Sequence, residues 1–147
     1  MKATDELKNE HEGVMLMLQI IEKLNEAFEQ EKDVDIKDLE GIMEFLKVFI
    51  GNCHHTKEEE ILFPVIEHAG IPREGGPIGV MLIEHTMGRD YIRVMSEAVE
   101  AYSKGNKDIK KKFVENARAY IALLKQHIDK ENNVFYMMGS SLKFPVN

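Results

Sequence analysis

The amino-acid sequence predicts an all-α fold, an antiparallel up-and-down four-helix bundle. Four long segments carry apolar residues at the period of a helix, and three short breaks rich in charged residues, glycine or proline separate them. No stretch keeps the two-residue period of a strand for long enough to predict a sheet. Short links between long amphipathic helices place successive helices antiparallel.

The four predicted helices follow in order along the chain. They cover residues 3–29, 36–68, 77–103 and 107–138. Asp35 and Asp108 stand where the second and fourth helices begin, and aspartate is a favoured N-cap because its carboxylate accepts from free backbone N–H groups. The helical pattern stops at Gly139, so residues 139–147 are predicted to form a short irregular tail. A length of 147 residues suits one domain, predicted to span residues 1–147.

The composition excludes several classes of function. The net charge of −7 argues against nucleic acid as a partner and against electrostatic attachment to an anionic membrane. A single cysteine, Cys53, rules out a disulfide within the chain. The polar, acidic N-terminal residues do not resemble a signal peptide, and no apolar run reaches the roughly 20 residues of a membrane span. We therefore expect a cytoplasmic protein.

An internal repeat carries the chemistry of this sequence. Each half of the chain contains the pattern H…HxxxE, and His54 and His127 lie 73 positions apart while His11 and His85 lie 74 apart. An internal repeat of this length is a signal about the fold. The residues of the two copies are His11, His54 and Glu58 in the first half and His85, His127 and Glu131 in the second.

These six side chains are predicted to point into the bundle. At about 100° per residue, Glu58 and Glu131 each lie about 40° from the histidine four positions earlier, on the apolar stripe of the same helix. The stripe of His54 contains Met43, Ile50, Ile61 and Val65. A buried carboxylate without compensation costs several kcal/mol and an unsatisfied imidazole about 1–3, against a net stability of roughly 5–15 kcal/mol. Six such groups in one core therefore indicate a site for cations.

Other polar residues near these positions leave alternatives open. His55 and Glu59 repeat the HxxxE spacing one residue later, and a rotation of the second helix by about 100° would place them where His54 and Glu58 are expected. The repeat and the apolar stripe favour His54 and Glu58, and His55 is also a candidate fifth nitrogen ligand or a group that supports a ligand. The neighbouring carboxylates Glu10, Glu12 and Glu84 are interpreted as surface groups.

The segments NEHEGV, HHTKEEEILFP, IEHTMGR and HIDKE occur in this order, and with them the sequence resembles the hemerythrin-like family of HHE cation-binding domains over about residues 3–138. The resemblance implies a non-haem di-iron centre with an oxo or hydroxo bridge. It implies that Glu58 and Glu131 bridge the two ions and that His11, His54, His85 and His127 bind terminally, two to each ion. Mixed nitrogen and carboxylate ligands suit iron, with manganese or zinc as alternatives.

The sequence departs from the oxygen-carrying members of that family in its third helix. In those members the third helix supplies two histidines one turn apart. Here the residues one turn before and one turn after His85 are Met81 and Arg89. An open position on each ion then favours reaction with a small diatomic molecule or peroxide over reversible carriage of oxygen. Three functions stay open: a protein that binds or senses O2 or NO, a di-iron oxidoreductase acting on peroxide or NO or in iron handling, and a storage or structural cation module. The sequence leaves open whether the chain is an enzyme and names no protein partner.

Overall fold

The structure, a computed structural model, describes residues 2–136 and forms a bundle of four helical runs. Helix α1 spans Lys2–Glu29 and helix α3 spans Pro77–Ser103. Helix α2 covers residues 36–68, and its parts are Ile36–Glu44 (α), Phe45–His54 (π), His55–Lys57 (α), Glu58–Leu62 (π) and Phe63–His68 (α). Helix α4 begins with the 3-10 turn Lys107–Ile109 and continues as Lys110–Lys130 (α) and Glu131–Phe135 (π).

The predicted all-α bundle is confirmed, and the described residues contain no strand. Each helix packs against two others, in the cyclic order α1, α2, α3, α4 and back to α1. The end of the fourth predicted helix at residue 138 and the predicted tail 139–147 lie outside the described residues. Across the described part of the chain, no helix has an apolar stretch of the length needed to cross a bilayer.

One of the two predicted N-caps is correct. The Asp35 carboxylate accepts a hydrogen bond from the backbone N–H of Lys37 at 2.9 Å, as expected for an N-cap. The prediction for Asp108 is wrong, because the fourth helix begins earlier, with Asn106 in the cap position. Gly105, at φ 94°, turns the chain there, and Asp108 falls inside the first turn.

The core of the bundle has three layers along its axis. The larger apolar cluster lies towards the 29–35 and 103–108 links and includes Leu18, Leu46 and Phe113. A smaller cluster closes the other end with Leu7, Leu62, Phe63, Ile66, Ile78, Met81 and Tyr136. Between the two clusters lies a layer of buried histidine and glutamate side chains, contributed by all four helices.

Candidate metal centre

The polar layer contains every residue of the two predicted H…HxxxE copies. Glu58 and Glu131 are fully buried, at 0% exposure. The buried histidines of the layer are His11, His54, His55, His85 and His127. Buried carboxylates and imidazoles at this density require compensation, because an isolated buried charge is strongly unfavourable.

The donor atoms fall into two groups that share a carboxylate. One group consists of His11, His54, Glu58 and Glu131, and the other of His55, His85, His127 and Glu58; within each group the donor atoms lie within 4.8 Å of one another. We call them the two-histidine group and the three-histidine group. The even division of two histidines to each ion, which the family resemblance implies, is not the arrangement observed.

Each buried glutamate faces both groups. Glu58 places Oε2 3.7 Å from His54 Nε2 and Oε1 3.1 Å from His85 Nε2. Glu131 likewise places Oε1 3.0 Å from His11 Nε2 and Oε2 3.2 Å from His127 Nε2. A carboxylate with one oxygen directed to each of two donor groups has the geometry of a bridge between two cations.

Carboxylates next to the EH histidines hold the HxxxE histidines in place. His54 Nδ1 donates to Glu10 Oε1 at 2.9 Å, and His127 Nδ1 donates to Glu84 Oε1 at 2.8 Å. The interpretation of Glu10 and Glu84 as surface groups is therefore wrong. Lys57 binds the second oxygen of Glu10, and Lys130 binds that of Glu84 at 2.7 Å. These salt bridges outweigh the effect of partial burial and, with the histidines, lower the pKa of both glutamates, so the acceptors stay ionised.

The EH histidines are held from the opposite half of the chain. His85 Nδ1 donates to Glu59 Oε2 at 2.7 Å, and His11 Nδ1 donates to Asn132 Oδ1 at 2.9 Å. Each acceptor follows a buried glutamate of the layer by one residue. With Nδ1–H donated outwards, each of these imidazoles directs an Nε2 lone pair inwards, which is how metal-binding histidines are commonly oriented.

The nitrogen and oxygen atoms that point into the polar layer show whether cations fit this site. His11 Nε2 and His54 Nε2 lie 3.0 Å apart, and both are acceptors because the Nδ1 of each ring donates elsewhere. Among the described residues, six further buried atoms of the layer have no hydrogen-bond partner: His55 Nδ1, Glu58 Oε1, His85 Nε2, His127 Nε2 and both carboxylate oxygens of Glu131. Converging lone pairs without donors are repulsive, and cations between them remove the repulsion. The donor set therefore fits a pair of metal ions.

The charge states of the layer agree with this fit. Burial, reinforced by the neighbouring His85 and His54, holds the pKa of His55 well below its usual range. Burial and the neighbouring His127 lower the pKa of His85 to about 4. Both imidazoles are thus neutral at pH 7, the form that binds a metal. Burial and the charge of Glu131 raise the pKa of Glu58 well above its usual range, as expected for two carboxylates that share one cavity without a cation.

The π-helical turns of α2 decide which of its residues face inwards. Buried residues recur there at every fourth position, in the order Leu46, Ile50, His54, Glu58, Leu62 and Ile66. In a regular α-helix a spacing of four drifts by about 40° per step, so this row would rotate by about 200° over five steps. Because π turns contain more residues per turn, they cancel the drift. Ile61 is therefore 45% exposed, contrary to the prediction that it shares the face of His54.

The same widened turns bring two adjacent histidines inside. His54 and His55 are 3% and 5% exposed, although neighbours in an α-helix point about 100° apart. The side chain of Glu59 keeps 28% exposure, and it binds His85 and the Arg89 guanidinium. The structure therefore does not exchange one predicted pair for the other: it buries His54, His55 and Glu58 and places Glu59 behind a histidine.

Tyr136 is a site residue that the sequence reasoning did not identify. Its ring is fully buried, and its hydroxyl donates to Glu58 Oε2 at 2.5 Å. The repeat contained the signal, because Tyr136 follows Glu131 by five residues, as Phe63 follows Glu58.

The fold and the site define a class of protein: a four-helix bundle whose core holds a cation centre of histidines and shared glutamates. The family model for the hemerythrin HHE cation binding domain matches residues 2–138. The chain belongs to this family and is a cation-binding protein. Comparisons with curated proteins and with solved structures gave no significant match.

Proposed function

We propose that this chain is a non-haem di-iron protein that binds or senses a small molecule such as O2 or NO. The observation that carries the proposal is that Glu58 and Glu131 both lie between the two donor groups, each with one carboxylate oxygen directed to either side. In this proposal the ligands are the five buried histidines and the two buried glutamates. Nitrogen and carboxylate donors in the core of a helical bundle suit iron, with manganese or zinc as alternatives.

A di-iron pair held by these residues would supply electron exchange with a small ligand. The chain's own residues orient the donors and exclude water. Glu10, Glu84, Glu59 and Asn132 fix the imidazole tautomers, and the two apolar clusters cover the layer on both sides. Such outer partners raise the basicity of histidine ligands and fix their direction.

The size of the expected ligand follows from burial. All seven proposed ligands are buried, which favours a diatomic molecule or peroxide over a larger substrate. A surface groove of about 700 Å³ lies between α1 and α4, and His11, Met15 and Asn132 are among its lining residues. This groove supports an approach to the two-histidine group from solvent.

The burial of the ligands favours binding or sensing over storage. A storage module exchanges ions with solvent and needs accessible ligands, whereas all seven proposed ligands are buried here. Catalytic turnover of peroxide or NO at the same centre is the second candidate. The closed, small site supports it equally, and the experiment below separates the two.

The test is metal analysis of protein purified without added metal, followed by optical spectra. We expect two irons per chain and a visible band that shifts reversibly with O2 or NO. Loss of the band with product formation identifies an enzyme, and a colourless protein loaded with zinc contradicts the proposal. Glu58→Gln is the test variant for this assignment. It removes the carboxylate that both groups share, so we expect both irons to be lost.

A further inference from the structure

Tyr136 places its phenol oxygen among the donor atoms of the two-histidine group. Besides the hydrogen bond to Glu58 Oε2 at 2.5 Å, the oxygen lies 3.2 Å from His11 Nε2 and 3.4 Å from His54 Nε2. The ring packs on the imidazole of His11, with centroids 5.3 Å apart and planes at 19°. Burial and stacking on His11 thus hold the Tyr136 side chain in this position.

These distances are those of neighbouring ligands around one metal ion. In a six-coordinate site with bonds of about 2.1 Å, adjacent donors are separated by about 3 Å. The two pairs already assigned to this group, His11 Nε2 with His54 Nε2 and His11 Nε2 with Glu131 Oε1, are each 3.0 Å apart. The phenol oxygen therefore stands where a fifth donor of this group would be.

The internal repeat gives a second, independent argument. At 73 positions apart, Phe63 is the equivalent of Tyr136, and Ile128 is the equivalent of His55. The three-histidine group has a donor in His55 and an apolar ring in Phe63, whose centroid lies 6.0 Å from that of His85. The two-histidine group has the reverse, an apolar Ile128 and a hydroxyl in Tyr136. Each group thus gains one donor that its counterpart lacks.

We propose that the phenol oxygen of Tyr136 is the fifth protein ligand of the iron at the two-histidine group, bound to iron(III) as phenolate. This inference rests on the proposed di-iron function. On coordination the O–H bond breaks, the proton leaves to solvent, and an oxygen lone pair forms the bond to the ion, with no change in oxidation state. Both ions then have five protein donors, with three nitrogens on one and two on the other.

The experiment uses the iron-loaded full chain and compares Tyr136→Phe with Tyr120→Phe. Tyr120 is a matched control, because it is also fully buried on α4 but its hydroxyl has no partner among the described residues. Phenylalanine at position 136 repeats what the chain already carries at Phe63. We expect wild type and Tyr120→Phe to show the visible phenolate-to-iron(III) charge-transfer band with resonance-enhanced tyrosine ring modes, and Tyr136→Phe to lose both.

A second measurement, on the wild-type protein, tests the tyrosine ligand if Tyr136→Phe does not fold. Wild-type protein grown with ring-deuterated tyrosine should show the enhanced modes shifted by the isotope. Two irons per chain without these modes, or a band that survives in Tyr136→Phe, overturns the tyrosine ligand and leaves the proposed function intact. A wild-type chain without an iron pair overturns both.

Discussion

Glu59 and Asn132 occupy equivalent positions in the two halves of the chain, and each accepts a hydrogen bond from the Nδ1 of a histidine in the other half. One acceptor is a carboxylate and the other a neutral amide, so the two EH histidines have unlike electronic environments. A carboxylate partner raises the basicity of an imidazole ligand more than an amide does. The two cation positions therefore differ in their supporting groups as well as in their histidine count.

The carboxylates that hold the HxxxE histidines should control metal affinity. Glu10→Gln and Glu84→Gln each replace an ionised acceptor with a neutral one, and we expect iron affinity to fall by about 10–100-fold. Competition with a chelator measures the change. Glu12→Gln is the matched control, because Glu12 is exposed beside His11. Equal affinities in all three variants would remove these salt-bridged carboxylates from the site.

His55 should be required for one ion only. His55→Ile introduces the residue that stands at the equivalent position, Ile128, and removes a donor from the three-histidine group alone. We expect the iron content to fall from two towards one per chain while the two-histidine group retains its ion. Metal analysis tests this, with the exposed His68→Gln as control. Retention of both irons in His55→Ile would show that His55 is not a ligand.

Loss of a bridging glutamate should reduce stability and iron content together. Glu131→Ala removes the carboxylate that faces His11 and His127 and leaves space in the buried layer. Removal of one member of a buried ionic pair costs about 3–5 kcal/mol. We expect thermal unfolding and metal analysis to change in parallel for Glu131→Ala and for His127→Ala. Unchanged iron content in both variants would contradict the assignment of helix α4.

The metal-free protein should lose stability as the pH falls below neutrality. Burial keeps the pKa of His55 well below its usual value, while in the unfolded chain it returns to about 6.5. Between these values the unfolded state binds the extra proton, so the free energy of unfolding falls by at most about 1.4 kcal/mol per pH unit for this group. We expect His55→Gln to show a shallower decline than wild type in denaturant titrations from about pH 7 to about pH 4.5. Parallel declines would mean that His55 titrates normally in the folded chain.

A substitution remote from the polar layer should separate stability from metal binding. Asp35→Ala removes the side chain that accepts from the Lys37 backbone at the start of α2, which costs about 1 kcal/mol. We expect a lower unfolding midpoint with two irons per chain unchanged. A loss of iron in this variant would show that the centre depends on global stability.

The helices followed from the sequence because apolar period is a local signal, and the two H…HxxxE copies followed because a repeated spacing can be seen directly along the chain. The inward position of both His54 and His55 did not follow, because a wheel of about 100° per residue assumes a regular α-helix and π turns break that assumption. Glu10 and Glu84 were misread for a different reason. A carboxylate beside a ligand becomes a partner only through a neighbouring helix, and single-helix reasoning does not include that contact.

The crossed contacts of Glu59 and Asn132 have a consequence for how the bundle stays assembled. Each half of the chain supplies the hydrogen-bond acceptor for a histidine of the other half. Glu131, from the second half, also lies in one donor group with His11 and His54 of the first half. Neither α1–α2 nor α3–α4 alone supplies all the donors of either group. Bound cations would therefore hold the two helical hairpins together, and we expect chelation to separate α1–α2 from α3–α4 before it unwinds any single helix.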